Sequence, residues 1–465
     1  MALLSRPRPV ATPVAVPRSP EAHFASIARE PFPFLLDWTD PARPDRAWTF
    51  LGSNPVLVLI AKGERVTEWR AGQSRTHDGD PFAAMEQALK ERATESADPG
   101  GIPFAGGAVG YFGYDLGGRL ERLPRESKDD RGLPDLVLAF HDRVLAMDRS
   151  SGTAHLVELS PRGEERAISP EDYESQFAAR PPLSAWTADR PVISNFTRSA
   201  YLEAVARARE YIAAGDIYQV NLSQRFHTRC ALDPLEIYTR LRTSSPAPYS
   251  ALLGMGARSV VSSSPELFLH SDGHRVVTRP IKGTRPRGAA GDEDARLKAE
   301  LMASPKDDAE LAMIVDLERN DLGRVCEYGS VKVSEPKALE SHPTVHHLVA
   351  TVEGRLRRGA GPVDLLRATF PGGSVTGAPK IRAMEIIDEL EPTRRAAYTG
   401  AIGWIGFDGS VGLSVAIRIV EKRGEDLWFQ TGGAIVTDSE PEREFDETIV
   451  KATGIVRALG IDLPS

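Results

Sequence analysis

The sequence predicts an α+β fold in which helices pack against a large antiparallel sheet, and two patterns support this class. Short apolar runs separated by Gly, Pro and Asp, typical of strands, occupy residues 56–60, 136–138 and 144–147. Towards the carboxy-terminal end, residues 398–407, 411–420 and 427–436 have the pattern of a strand meander, with Asp408 and Gly409 at its first turn.

Composition and charge exclude several classes of protein. The 465 residues include 57 Lys and Arg against 65 Asp and Glu, a formal charge of -8, which disfavours a nucleic-acid partner. The two cysteines, Cys230 and Cys326, cannot build a disulfide framework or a four-cysteine zinc site, and they suit a reducing compartment. The apolar runs are too short to cross a membrane. We therefore expect a cytoplasmic protein that binds neither membranes nor nucleic acid.

The composition changes along the chain and predicts four segments. Residues 1–25, rich in proline and arginine, predict a disordered tail, and residues 26–160 predict a β-rich amino-terminal domain. The polar stretch 161–193 contains several prolines without periodicity and predicts a linker. Residues 194–465 are expected to form a second domain that carries the chemistry.

The second domain begins with a predicted helix and strand. Apolar residues recur every three or four positions from Tyr201 to Ile212, and Gly215 is expected to end this helix. In the following strand the even positions up to Phe226 are mainly apolar, as in a half-buried strand. Gln219 occupies an odd position and is therefore expected on the polar face.

A glycine-rich loop runs from Gly372 to Lys380. It is not a nucleotide-binding phosphate loop, because Ala378 and Pro379 stand where that motif needs Lys followed by Ser or Thr. The loop leads into a helix with Pro379 near its first position, and free amides at that end could hold an anion. A simple turn with a good helix start fits the same residues.

Two carboxylates on separate predicted helices are candidate metal ligands. Glu310 follows a helix start at Ser304, and Glu447 lies on a later helix with Lys451 four positions on, on the same face. Carboxylates brought together from two helices could hold Mg²⁺, which prefers oxygen ligands. Structural roles are also open: Glu310 could oppose the helix dipole, and Glu447 could pair with Lys451.

Two basic residues are candidate functional groups. Arg418 shares its strand face with small residues, which leaves room for a planar anion held by two hydrogen bonds; a structural salt bridge is the alternative. Lys282 lies in a basic cluster, residues 279–287, where nearby cations and burial could lower the pKa of its ammonium group. A neutral amine would be a nucleophile, whereas a solvated basic turn is the structural alternative.

Five motifs, spread over residues 195–460, together resemble the chorismate-utilising family, which includes anthranilate synthase component I, isochorismate synthase, salicylate synthase and aminodeoxychorismate synthase component I. The motifs are Ser262-Ser263-Ser264-Pro265-Glu266, Pro280-Ile281-Lys282-Gly283-Thr284-Arg285-Pro286-Arg287, Asp316-Leu317-Glu318-Arg319-Asn320-Asp321-Leu322, Gly377-Ala378-Pro379-Lys380 and the Arg418 strand. The resemblance implies large antiparallel sheets facing each other with helices outside, as in anthranilate synthase component I. It also implies that residues 194–465 are a chorismate-binding catalytic domain.

Two residues discriminate among the activities of this family. Anthranilate synthases usually have Ala at the position that resembles Lys282, whereas aminodeoxychorismate synthases have Lys. Isochorismate and salicylate synthases place a water-activating Lys where Gln219 stands. The resemblance therefore implies that chorismate and ammonia are converted to 4-amino-4-deoxychorismate, a precursor of 4-aminobenzoate and folate. Anthranilate synthesis is the alternative.

The resemblance also assigns roles to the candidate residues. It implies that Lys282 is the catalytic nucleophile, that Glu266 is the proton donor, and that Glu310 and Glu447 hold Mg²⁺, with Lys451 beside the metal. The other substrate-binding residues implied are Gln219, His347, Ser374, Tyr398, Arg418, Gly432 and Gly433.

The source of ammonia is expected to be a second protein. The chain shows no recognisable glutaminase segment, and Cys230 and Cys326 lie in neither a nucleophile elbow nor a glycine-rich turn. The resemblance therefore implies a separate glutamine amidotransferase subunit as partner.

Overall fold

Nine helices form within the residues that the computed structural model describes, which are 8–15, 19–41, 43–94, 100–159 and 191–463. The helices are α1 (Pro20–Ile27), α2 (Pro81–Glu91), α3 (Arg198–Ala214), α4 (Pro234–Ser244), α5 (Gly291–Met302), α6 (Pro305–Gly323), α7 (Pro362–Thr369), α8 (Lys380–Leu390) and α9 (Pro441–Leu459). Short 3-10 helices cover Tyr114–Arg119 and Gly373–Val375. None of the helices in these ranges is both long and apolar enough to span a membrane.

The strands are numbered along the chain. In the first part they are β1 (Pro9–Val14), β2 (Phe34–Asp40), β3 (Arg43–Gly52), β4 (Leu57–Lys62), β5 (Arg65–Arg70), β6 (Gln73–Asp78), β7 (Gly107–Phe112), β8 (Leu136–His141), β9 (Arg143–Asp148) and β10 (Thr153–Leu159). In the second part they are β11 (Ile193–Ser194), β12 (Gln219–Arg229), β13 (Tyr249–Met255), β14 (Arg258–Ser264), β15 (Leu267–Ser271), β16 (Arg275–Arg279), β17 (Ile281–Pro286), β18 (Lys332–Ser341), β19 (Val345–Arg355), β20 (Gly377–Ala378), β21 (Ala401–Gly406), β22 (Val411–Val415), β23 (Ile419–Arg423) and β24 (Asp426–Ile435).

These strands form two twelve-stranded antiparallel sheets in the described part of the chain. Sheet A has the order β1-β10-β9-β3-β2-β13-β14-β23-β24-β12-β11, and β20 adds to β12. Sheet B has the order β17-β19-β16-β15-β22-β21-β7-β8-β4-β5-β6, and β18 adds to β19.

The two sheets face each other across a buried aromatic core. Trp38 of sheet A lies 5.9 Å, ring centre to ring centre, from Trp404 of sheet B, which also stacks on Phe104 at 4.9 Å. Separate apolar clusters cover the outer faces: α2, α6 and α7 pack on sheet B, while α1, α4 and α9 pack on sheet A. The predicted class, α+β with facing antiparallel sheets and helices outside, is therefore confirmed.

The predicted division into an amino-terminal domain (26–160) and a catalytic domain (194–465) is wrong, because both sheets continue through both segments. In sheet A, β2 pairs with β13 so that Leu36 lies opposite Ala251. In sheet B, β7 pairs with β21 so that Gly110 lies opposite Gly403. Each segment supplies only part of either sheet and leaves a strand edge that the other segment covers.

The prediction of a disordered tail over residues 1–25 is also wrong for its described part. Residues 9–14 form β1 and pair with β10, which satisfies their backbone groups, and α1 begins at Pro20 with Ser19 as its cap. Most of the predicted linker 161–193 lies outside the described residues, and its last residue begins β11.

The predicted meander is only partly correct. Residues 411–420 do not form one strand: β22 belongs to sheet B, and the chain crosses at residues 416–418 into sheet A, where β23 begins. Arg418 has a positive φ of 52° at this crossing, which turns the backbone out of the first sheet. The predicted helix before β12 is confirmed as α3, and Gly215 ends it in the left-handed conformation with φ 83°.

Candidate active site

Two crossings between the sheets bring Glu266 and Arg418 together. The chain leaves sheet A after β14 and enters β15 of sheet B through Glu266, next to the reverse crossing through Arg418. The Ser263 N–H donates to the Arg418 carbonyl at 3.1 Å, and the Val415 N–H donates to the Glu266 carbonyl at 3.0 Å. Two residues 152 positions apart, predicted from separate motifs, are thus neighbours in the centre of the molecule.

The two side chains at these crossings have opposite charge and shifted pKa values. Burial raises the pKa of the Glu266 carboxyl, while a hydrogen bond with Ser374 and the charge of Lys282 oppose this rise. Burial lowers the pKa of Arg418, and the charge of Glu266 opposes that fall. Among the described residues, the Arg418 guanidinium makes no hydrogen bond or ion pair, so its donors are available to an anionic group. The alternative of a structural salt bridge is not supported.

Lys282 lies on β17, and its amine faces the glycine-rich loop. Its Nζ donates to the Ser374 carbonyl at 3.0 Å, and the Asn221 Nδ2 donates to the same oxygen at 2.7 Å. Burial lowers the pKa of the Lys282 amine, whereas the charges of Glu310 and Glu266 act in the opposite direction. The net direction increases the fraction of neutral amine at a given pH. A solvated basic turn does not describe this residue.

Glu310 and Glu447 approach the same region from α6 and α9. Ser304 caps α6 by accepting the Asp307 N–H at 3.3 Å, so that Glu310 lies in the second turn with its side chain 14% exposed. Burial raises the pKa of Glu310, and the Glu447 charge adds to the rise. Burial also raises the pKa of Glu447, but Lys451, with Nζ 2.6 Å from its Oε1, and other cations outweigh burial, so the net pKa is lowered.

These carboxylates fit a magnesium ion. The pKa effects place Glu310, Glu447 and Lys282 within electrostatic range of one another. Glu444 adds a buried oxygen, Oε2, that has no partner among the described residues. This oxygen and the Glu447 carboxylate both lie beside Gly433. No cluster of three or more His, Cys, Asp or Glu side chains in the described ranges is arranged to hold a metal. An ion that keeps waters and takes one or two carboxylates together with substrate oxygens, as Mg²⁺ does, suits such a donor set.

Two further predicted residues, His347 and Tyr398, are buried. His347 is buried, and its Nδ1 lies 2.9 Å from Thr284 Oγ1, while its Nε2 has no partner among the described residues. Burial, followed by the Arg418 charge, lowers the pKa of His347 to about 3, so the ring is neutral. Tyr398 is buried in the core between the sheets, and burial raises the pKa of its hydroxyl.

Gln219 lies at the start of β12, opposite Ala378 of β20. The expectation of a half-buried strand is wrong here, because Gln219 is 0% exposed and helices and the glycine-rich loop cover both faces. Neither its Oε1 nor its Nε2 has a partner among the described residues. An unpaired buried amide is costly unless a ligand or water satisfies it, so this residue fits a binding role.

Gly432 and Gly433 lie in β24 beyond the end of its pairing with β23. That pairing stops at Phe429, because β23 begins only after the chain has crossed into sheet A at Arg418, and one edge of β24 is free of β23 from there on. The opposite edge pairs with β12, Gly432 facing Ser223. The Gly432 carbonyl accepts a hydrogen bond from Lys451 Nζ at 2.9 Å.

Sequence reasoning missed several residues that support this centre. They are Asn221 and Thr284, which contact Ser374 and His347, and the buried pair Glu391 and Arg395 behind the glycine-rich loop. The only available signal was proximity to recognised motifs, because no periodicity distinguishes these polar residues from exposed ones.

One buried acid near the centre predicts a pH-dependent stability. Glu318 on α6 accepts a hydrogen bond from Thr278 Oγ1 at 2.7 Å, and burial raises its pKa to about 8. Between the ordinary value near 4.5 and pH 8, the folded state keeps a proton that the unfolded state has lost. Stability should therefore fall as pH rises through this window, by up to about 1.4 kcal/mol per pH unit from this group.

Replacing Glu318 with Gln should remove this contribution. We expect the free energy of unfolding of Glu318→Gln, measured by urea titration at pH 5, 6.5 and 8, to fall less with pH than that of the wild type. The exposed Glu327→Gln serves as control, because Glu327 pairs only at the surface with Arg355. An unchanged slope in Glu318→Gln would mean that Glu318 is ionised in the folded protein.

The buried Lys282 amine, the Arg418 guanidinium with unused donors and two carboxylates on separate helices form a candidate site for a small substrate that carries carboxylates. The chain matches the family described as chorismate binding enzyme over residues 39–457, and it belongs to that family.

Relatives with two different activities are similar to the chain. Aminodeoxychorismate synthase component 1 of Escherichia coli K12 is 39% identical over 442 residues, which cover 94% of this chain and 96% of that protein. Anthranilate synthase component 1 1 of Haloarcula marismortui is 43% identical over 399 residues, covering 82% and 81%. The crystal structure of anthranilate synthase component I from Streptococcus pneumoniae TIGR4 has a TM-score of 0.75 at 29% identity, covering 88% of this chain and 92% of that one. The fold is therefore anthranilate synthase component I-like.

Proposed function

We propose that the protein is the chorismate-aminating component of an aminodeoxychorismate synthase, which converts chorismate and ammonia to 4-amino-4-deoxychorismate and water. The product would serve 4-aminobenzoate and folate synthesis. The observation that carries the proposal is that the Lys282 amine lies close to the Glu266 carboxyl. Burial lowers the pKa of the amine and raises the pKa of the carboxyl. These directions favour a neutral amine beside a protonated carboxyl, which together would supply a nucleophile and an acid.

In the first half of the proposed reaction, the neutral Lys282 amine attacks C2 of chorismate. Both ring double bonds shift, from C1=C2 and C5=C6 to C1=C6 and C4=C5, the C4–O bond breaks, and Glu266 gives its proton to the departing hydroxyl, which leaves as water. The result is a secondary ammonium between Lys282 and C2 and an ionised Glu266. Covalent catalysis thus divides one difficult displacement into two.

In the second half, ammonia attacks C4, both ring double bonds shift back, and the C2–N bond breaks. Lys282 leaves with the electron pair of that bond as a neutral amine. The new C4 ammonium returns one proton to Glu266, which restores the starting state. The enolpyruvyl group stays in place throughout.

The other residues would bind and orient the substrate. Arg418, Tyr398 and the amides of Gly432 and Gly433 would hold the enolpyruvyl carboxylate, while Gln219, His347 and Ser374 would line the ring pocket. Glu310 and Glu447 would hold Mg²⁺ near the ring carboxylate, with Lys451 beside them. When bound, the ion would offset the charge of that carboxylate and orient the ring.

Ammonia would reach the site from a glutamine amidotransferase subunit. This partner is inferred from the family likeness and from the lack of a recognisable glutaminase segment in the chain. Two observations would support it: co-purification with such a subunit, and activity with glutamine that depends on adding it. Glutamine-dependent turnover by the purified chain alone would contradict it.

Product analysis tests the proposed function. The purified protein is incubated with chorismate, Mg²⁺ and ammonium, with and without an added aminodeoxychorismate lyase, and the products are identified by mass spectrometry. An amine that retains the enolpyruvyl group, and that the lyase converts to 4-aminobenzoate, is expected.

Anthranilate synthesis is the second candidate, because the anthranilate synthase of Haloarcula marismortui is 43% identical. Fluorescent anthranilate together with released pyruvate would establish it. That result would also mean that Lys282 does not determine which carbon receives the amine.

A further inference from the structure

Arg395, in the segment between α8 and β21, is 1% exposed and uses all its donors within the protein. Its Nε and Nη2 donate to the two Glu391 carboxylate oxygens at 2.9 and 2.7 Å. Its Nη1 donates to the Val375 carbonyl at 3.0 Å and to Thr399 Oγ1 at 3.1 Å, and its Nη2 donates to the Asn221 carbonyl at 2.8 Å. A guanidinium presents five N–H groups, and five contacts are made.

These contacts join the two segments that hold the Lys282 amine. Val375 follows Ser374, whose carbonyl accepts the Lys282 Nζ. Asn221 supplies the second donor to that carbonyl through its side chain, while its own backbone carbonyl is held by Arg395. Arg395 therefore fixes the backbone next to the Ser374 carbonyl, which accepts the Lys282 amine. It also fixes the backbone of Asn221, whose side-chain amide orients that carbonyl.

The Glu391–Arg395 pair, which we call the clamp, is itself held by further contacts. Glu391 Oε1 accepts hydrogen bonds from the Ser223 N–H at 2.9 Å and the Ser223 hydroxyl at 2.6 Å. The guanidinium also lies 4.6 Å from the centre of the Tyr114 ring. A buried pair with every polar atom satisfied holds one geometry, which is what a remote positioning group needs.

We propose that Arg395 is a positioning residue that sets the location of the Lys282 amine through the backbone of Val375 and Asn221. The inference rests on the proposed function for its catalytic consequence. Lysine cannot replace Arg395 in this role, because a single ammonium cannot reach the Val375 and Asn221 carbonyls while bridging both Glu391 oxygens.

The test compares Arg395→Lys with wild type, and Arg225→Lys serves as the matched control. Arg225 is also buried on β12, but its guanidinium pairs with Asp130 and donates to the Arg394 carbonyl at 3.5 Å rather than to the Ser374 loop. Chorismate consumption is measured at saturating Mg²⁺ and ammonium and corrected for the folded fraction by near-UV circular dichroism. Misplacement of the amine should lower the kcat of Arg395→Lys by about 100-fold. The KM for chorismate should change by less than about threefold, because uniform binding is retained.

A purely stabilising role would give a different result. In that case kcat per folded molecule would match wild type, or Arg395→Lys and Arg225→Lys would lose activity equally, and either outcome would overturn the positioning role. If Arg395→Lys fails to fold, the double variant Glu391→Gln/Arg395→Gln removes the clamp without leaving one buried charge unpaired. It should show the same selective loss of kcat.

A second measurement separates this inference from the proposed function. The rate at which an amine-reactive acylating reagent labels Lys282 is followed by peptide mass spectrometry in the absence of substrate. Labelling should be faster in Arg395→Lys than in wild type or Arg225→Lys, whatever reaction the protein catalyses. Equal rates in all three proteins would overturn the positioning role, whereas a wild type that consumes no chorismate would overturn only the proposed function.

Discussion

Lys282→Ala should lose turnover by roughly 10³-fold or more, in the range found when a catalytic group is removed. The side chain places its Nζ 3.0 Å from the Ser374 carbonyl, close to Glu266, and burial lowers the pKa of the amine. In the proposed reaction this amine forms a covalent bond to C2 of chorismate. Alanine offers no nucleophile there, so ammonia would have to displace the C4 hydroxyl in a single step.

Intact-protein mass spectrometry checks this result directly. Wild type incubated with chorismate and Mg²⁺, but without ammonia, should carry an adduct with the mass of chorismate less one water, and Lys282→Ala should carry none. Lys332→Ala is the control, because Lys332 lies exposed on β18 of the same sheet and pairs with Glu353. Full turnover by Lys282→Ala would exclude the covalent route.

The motifs allowed most residues of this candidate site to be proposed from the sequence, because each motif keeps its chemistry within a few residues. The sequence showed that residues 411–420 alternate, but it could not show that the strand changes sheets. The alternation of apolar residues continues through residues 416–418 because the strands before and after the crossing, β22 and β23, are both buried. The proximity of Glu266 to Arg418 depends on this crossing, and no local pattern encodes it.

The burial of individual polar residues could not be predicted from the sequence either. Arg394 and Arg395 are adjacent and identical in type, yet their side chains are 26% and 1% exposed. Contacts with Val375 and Asn221, both distant in sequence, distinguish them. Gln219 occupies one of the odd, polar positions of β12, but its complete burial follows from β20 and the glycine-rich loop folding over it.

Glu447→Gln should weaken Mg²⁺ binding, as should Glu310→Gln. Lys451, Lys306 and Lys282 keep the pKa of Glu447 low, so its carboxylate is ionised at neutral pH and provides the charge that a hard cation needs. The amide retains the shape but removes that charge. We expect the half-saturating Mg²⁺ concentration to rise by about 10- to 100-fold, comparable with losses at other perturbed metal sites.

Calorimetric titration of Mg²⁺ into protein that lacks substrate, and again with chorismate in the Lys282→Ala background, measures binding without turnover. Glu442→Gln is the matched control, because Glu442 lies on the same helix and pairs with Arg198. Stability gives an independent sign: the net pKa of Glu447 is lowered, so its charge stabilises the folded state at neutral pH, and metal-free Glu447→Gln should be less stable than wild type. A variant that loses stability but binds Mg²⁺ normally would show that Glu447 acts only through its ion pair with Lys451.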